Sequence, residues 1–126
     1  MKKATKNWID GAEYDLKTAR SLLKSGRYIY VVFMCHLAIE KSLKAVISET
    51  SDVMPPKTHD LMRLTQLSKL QLTPEQQEIL ILLDGVSVPI RYPEDLAELQ
   101  KSYTRIEAQK VLNKSGRLIK WLKQRK

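Results

Sequence analysis

His36, Glu40 and Lys44 are spaced i, i+4, i+8, so a helix sets them in one row along its flank. An imidazole beside a carboxylate is a proton carrier with an orienting partner, which is what general acid–base chemistry needs. The same spacing equally suits a charged helix edge held by i,i+4 pairs. Arg91 and Tyr92 lie between Pro89 and Pro93. A stiffened loop carrying a guanidinium and an aromatic ring suits phosphate recognition and base stacking. It equally suits an arginine capping helix carbonyls beside a tyrosine that plugs the end of a bundle. Cys35, the single cysteine, falls among apolar neighbours, and nothing around it in sequence would lower its pKa. His59 reads as a first-turn surface residue. One Cys and two well-separated His make no zinc set, and no Glu-x-x-His pair supports a di-iron bundle. There is no P-loop, no Gly-rich dinucleotide turn and no HExxH. The expectation is no metal and no cofactor.

Helices must position these residues. Trp8, Ala12, Leu16, Ala19 and Leu23 recur at steps of three and four, so a first amphipathic helix is expected over about 5–24, capped by Thr5 and stopped by Ser25-Gly26. Tyr28, Val31, Val32, Cys35, Ala38, Ile39, Ser42, Leu43 and Val46 carry the period through a second, over about 27–49. Tyr28 to Phe33 alone would pass for a strand, but the pattern runs far too long for one. Thr58 reads as the cap of a short third helix with Leu61, Leu64 and Leu67 inward. Thr73-Pro74-Glu75-Gln76 is a capping box with proline at the first helical position, followed by Ile79, Leu82, Leu83 and Val86. Residues 87–95, with two prolines, read as irregular. Thr104 and Glu107 open a last helix whose stripe is Ala108, Val111, Leu112, Ser115, Leu118, Ile119 and Leu122. The expected fold is all-α, an up-and-down bundle of four to five helices forming one domain over residues 1–126.

The charge is uneven. Residues 1–100 hold thirteen basic and thirteen acidic side chains; residues 101–126 hold nine basic ones against Glu107 alone, which accounts for the whole net +8. Such a segment attracts polyanions such as RNA, or it is simply a solvated face suited to a helix C-terminus. On a helical wheel Lys110, Lys114, Arg117 and Trp121 share the face opposite the apolar stripe, and Lys120, Lys123, Arg125 and Lys126 extend the charge. A tryptophan on that face is expected outside the core, as a dimer contact or stacking platform, or folded under Arg117 of its own helix. No apolar run approaches a membrane span and no apolar h-region follows the basic start, so a cytoplasmic setting without membrane contact is expected. The lone thiol fits a reducing compartment.

Several stretches together resemble the HEPN family of small helical bundles: Trp8…Ala12-Glu13-Tyr14-Asp15-Leu16, Gly26-Arg27-Tyr28 into Phe33, Ala38-Ile39-Glu40-Lys41-Ser42-Leu43-Lys44-Ala45, Thr58-His59-Asp60-Leu61, Arg91-Tyr92-Pro93, and the closing amphipathic helix. The resemblance implies a bundle that pairs as a homodimer and often works beside a minimal nucleotidyltransferase as toxin and antitoxin. Many members are metal-independent ribonucleases with an Arg-x4-6-His motif; others bind nucleotides, RNA or protein. Arg91 matches the motif arginine, but residues 92–98 are Tyr-Pro-Glu-Asp-Leu-Ala-Glu and no histidine follows His59. Two readings follow. The favoured one is a dimeric module that binds nucleotide, RNA or a nucleotidyltransferase partner. The other is a ribonuclease toxin using Arg91 with His36 as relocated proton carrier and Glu40 holding the Arg91 guanidinium. Arg91, Tyr92, Lys110, Lys114, Arg117 and Trp121 are the expected ligand contacts.

Overall fold

The computed structural model describes residues 1–124, apart from the Pro93 side chain. Among the described residues there are six helices and no strand: α1 (Lys3–Lys24), α2 (Tyr28–Thr50), α3 (Leu61–Ser68), α4 (Pro74–Ser87), α5 (Pro93–Ser102) and α6 (Arg105–Lys123), with a 3-10 turn at Pro89–Arg91. α2 is the axis of the bundle. It packs along the whole of α1 and also touches α3, α4, α5 and α6. The core is the buried set expected from the 3.6-residue period, including Leu16, Ala19, Cys35, Ile39, Leu43, Leu64, Leu83, Val111 and Ile119. No helix among the described residues is long and apolar enough to cross a membrane.

The α1–α2 turn shows why the chain reverses where it does. Gly26 sits at φ +81°, a left-handed conformation that costs glycine little. That places Arg27 N–H on the Leu22 carbonyl at 2.9 Å and Gly26 N–H on the Leu23 carbonyl at 3.3 Å, which satisfies two of the last carbonyls of α1.

Several local expectations are corrected. Thr5 is not a cap: α1 starts earlier, at Lys3, and the buried Thr5 hydroxyl bonds Ser48 and Glu49 of α2. Thr58 is not the cap of α3. Its hydroxyl accepts from Asp60 N–H, and Asp60 caps the helix by accepting from Arg63 N–H. Leu67 and Leu82 face outward, while Leu80 is buried in their place. Residues 87–95 are not all irregular, because Pro93 opens α5 instead of breaking a helix. A proline at the first position loses no hydrogen bond, and Glu94 and Asp95 suit the positive end of the dipole. The Thr73–Gln76 capping box forms in full, and Thr104 caps α6 by accepting from Glu107 N–H.

Trp121 is half-buried and packs against the core. α4 lies across that side of α6: Thr73, Glu75, Gln76 and Ile79 line one cleft with Lys114, Arg117, Leu118 and Trp121. A helical wheel drawn for one helix could not show that a second helix reaches Trp121, while Lys110, Lys114 and Arg117 on the same face stay exposed. Of the remaining basic positions, Lys110 lies 3.8 Å from Glu107 and Lys123 pairs with Glu13 of α1. Arg125 and Lys126 lie outside the described residues.

Cys35 is fully buried, and burial pushes its thiol up to about 12. The thiolate is the reactive form, so the native protein is expected to resist a disulfide reagent at pH 8 and to react at once in denaturant. Fast labelling of folded protein contradicts this.

Candidate functional site

Four side chains one turn apart along α2, Phe33, His36, Glu40 and Lys44, each meet a different element. The Arg91 guanidinium lies 5.0 Å from the Phe33 ring, and its Nη1 donates to the Ser87 carbonyl at the end of α4. His36 Nε2 is 3.3 Å from Asp84 Oδ1 of α4. Glu40 Oε1 is 3.0 Å from Nδ1 of His59, in the loop before α3, while its Oε2 accepts from Lys44 Nζ at 3.1 Å. The Lys44 ammonium sits 5.4 Å from the Trp8 ring of α1. Helical spacing supplies the row; the chain's turns bring four other elements onto it.

The row is not the open flank that the sequence suggests. His36 is 0% exposed, and Glu40 and Lys44 are 5% exposed each. Burial pushes the His36 imidazole below the ordinary histidine value; Glu40 and Asp84 pull it back up, and the Arg91 charge lowers it again. Its Nδ1 has no hydrogen-bond partner and lies 3.8 Å from Glu40. A carboxylate only accepts, so Nε2–H is the donor to Asp84. A fully enclosed imidazole cannot reach a phosphate outside the protein, so the relocated-His36 arrangement does not assemble.

Nor does Glu40 hold Arg91. Both Glu40 oxygens are engaged, by His59 and Lys44, and Arg91 rests on Phe33 and Ser87. The pairing fails because Arg91 sits a full turn beyond His36 on the α2 row, at Phe33, on the side away from Glu40. Arg91 and Tyr92 are exposed, as a ligand contact requires.

Two residues of the site escaped sequence reasoning. His59 is exposed, as expected, yet its Nδ1 is fixed on a buried carboxylate; its side chain is 62% exposed. An imidazole held on one nitrogen by a carboxylate and open on the other is oriented for binding or proton transfer. The signal was present in the Thr-His-Asp-Leu turn, but nothing local tied it to Glu40. Asp84 accepts from Leu61 N–H at 3.0 Å and Met62 N–H at 3.2 Å, so it also caps α3 from another helix. No sequence signal marks that role. No set of His, Cys, Asp and Glu among the described residues could hold a metal ion.

In sequence, residues 5–125 match the HEPN domain family. The chain belongs to the HEPN family. Two solved structures share its fold. One is TT1696 from Thermus thermophilus, at 22% identity and TM-score 0.82, with 98% of each chain covered. The other is ST0689, an archaeal HEPN homologue, at 25% identity and TM-score 0.74, covering 98% of this chain and 97% of that one. No curated protein is significantly similar in sequence. The HEPN match spans the α2 row, the His59 turn and the Arg91 turn together, so the site is set in the family's fold and not in an added segment.

Proposed function

We propose that this HEPN chain is a homodimeric binding module, the HEPN component of a toxin–antitoxin-like pair, which engages a minimal nucleotidyltransferase and a nucleotide or RNA ligand without depending on catalysis. The observation that carries this reading is the enclosure of His36: the imidazole on the α2 row is spent inside the bundle, whereas His59, Arg91 and Tyr92 are exposed. Arg91 offers a planar donor fork for a phosphate and Tyr92 a ring for a base.

The dimer draws support from α4. Ile81 and Val88 are 60% and 58% exposed and share one face of the helix, with Gly85 between them. A Cβ added at Gly85 would meet nothing within 4 Å, so the helix presents bare backbone in the middle of an apolar stripe. A second copy meeting it about a twofold axis buries the stripe on both protomers at once. Light scattering is expected to give twice the 14.6 kDa chain mass, and Ile81→Lys with Val88→Lys to give the monomer with its helical circular dichroism intact. A wild-type monomer at tens of micromolar contradicts the dimer. The partner is tested by titrating the chain with the nucleotidyltransferase of a neighbouring gene in a calorimeter. Saturable heat supports the two-component reading, and its absence at 100 micromolar counts against it.

A second reading, a metal-independent ribonuclease toxin at Arg91, keeps one specific support. The Glu40–His59 pair leaves an imidazole nitrogen in solvent, where His36 offers none. In that case His59 carries the proton, while Arg91, at the Phe33 end of the row, holds a neighbouring phosphate of the strand.

A further inference from the structure

α1 and α6 lie side by side in opposite directions, since Glu13 meets Lys123 at one end and Lys24 shares a cleft with Arg105 at the other. Between them run two adjoining clefts of about 520 and 600 Å³. Both contain Arg20, Gly116 and Lys120, so they form one continuous groove. Lys17, Arg20 and Lys24 of α1 face Arg105, Arg117 and Lys120 of α6 across it. All six are exposed, and no carboxylate among the described residues pairs with any of them. The one acid among the described residues lining the groove, Glu13, is already neutralised by Lys123.

We propose that this groove is a docking track for the phosphodiester backbone of single-stranded RNA. The proposal deepens the RNA-binding part of the proposed function and rests on it for the ligand class; the groove shares no residue with the His59–Arg91 site. Six unpaired cations in two facing rows repel one another unless an anion lies between them, and a concave track focuses that field. From Arg105 to Lys120 the α6 side runs about 22 Å at the helical rise of 1.5 Å per residue, long enough for several successive phosphates. A cleft between two packed helices admits one strand; a flat lipid surface cannot enter it. Gln109 donates to Asn113 Oδ1 at 2.9 Å, which leaves the Asn113 amide N–H groups and the Gln109 carbonyl oxygen for the sugar or base edge. Among the described residues no aromatic ring lines the groove, so sequence preference is slight. Half of this track, the α1 side, carries none of the charge excess seen in the sequence. It becomes visible only when Lys17, Arg20 and Lys24 are folded against α6.

Gly116 makes the groove testable by shape as well as by charge. It contributes to both clefts, and a Cβ there meets nothing within 4 Å. Gly116→Leu therefore starts from an unobstructed Cβ and projects a side chain into the track without altering charge. The probe is a 5′-fluorescein oligouridylate of twelve nucleotides, read by anisotropy at 50 mM salt. About five phosphate contacts on a single strand predict roughly hundredfold weaker binding at 200 mM than at 50 mM salt. Arg20→Glu with Lys120→Glu should weaken binding at least tenfold and Gly116→Leu at least fivefold. Lys57→Glu with Lys101→Glu, the same charge change away from the groove, should weaken it less than threefold. Circular dichroism of each variant shows that the bundle is intact. Equal losses from both charge pairs, or full binding by Gly116→Leu, overturn the groove in favour of net charge alone. Vesicles of phosphatidylserine that displace the oligonucleotide at equal phosphate overturn the assignment to a single strand. Binding that survives every groove variant but is lost in Arg91→Ala overturns the groove and leaves the proposed function standing. No binding by the wild type overturns both.

Discussion

Glu40→Ala is expected to destabilise the fold by about 3–5 kcal/mol, the cost of leaving a buried charge unpaired. Lys44 is the charge concerned. Its side chain is 6% exposed, its ammonium donates to Glu40, and the Trp8 ring is its other neighbour. A ring face attracts a cation by only about 0.5–2 kcal/mol and cannot replace a carboxylate. Loss of Glu40 also frees His59 from its anchor, so the approach to α3 loosens. The pair itself is a different matter from its half. Desolvating two ions consumes most of their attraction, so replacing both by leucine should recover most of the lost stability. Urea denaturation of the single and double variants measures both numbers. A single-variant loss below about 1 kcal/mol would show that water reaches Lys44 after all.

Asp84→Ala comes second, at about 2–4 kcal/mol. It removes the acceptor of two amides at the start of α3, a capping loss of about 0.5–2 kcal/mol, and leaves those groups poorly satisfied, at about 1–3 kcal/mol. The amides of Leu61 and Met62 should then exchange hydrogen faster than the rest of α3. Asp84 also raises the His36 pKa, so its removal pushes the imidazole further down, which histidine NMR can follow. The wild type already carries the corresponding pH dependence. The folded His36 pKa lies below the unfolded value of about 6.5. Below that pH the unfolded chain binds the proton and the folded one resists it, so stability is full above about pH 6.5 and falls as pH drops from there towards the folded pKa. His36→Leu should flatten that part of the profile. An unchanged slope would mean that His36 is not the group responsible.

The helices were readable because their causes are local. A 3.6-residue apolar period running from Tyr28 to Val46 has one physical solution, and Thr73 and Thr104 announce their helices by side-chain chemistry within three residues. Pro93 misled because proline is read as a breaker, whereas at a first helical position it is a starter. The spacing of Leu82 points inward, but α4 buries Leu80 in its place and leaves Leu82 partly open to solvent. The α2 row was legible as a row but not in its burial, which depends on Asp84, His59 and Trp8 arriving from elsewhere in the chain. Arg91 stands out in sequence by its stiff setting, yet its partner is the half-buried Phe33 ring of α2, and not Glu40.

The claim that this HEPN chain binds and does not depend on cleaving is tested most directly by incubating the purified protein with total RNA in EDTA, beside Arg91→Ala and His59→Gln. The account predicts that the RNA remains intact with all three proteins over hours at micromolar concentration. Fragmentation by the wild type that is lost in both variants would contradict it and would make Arg91 and His59 catalytic residues.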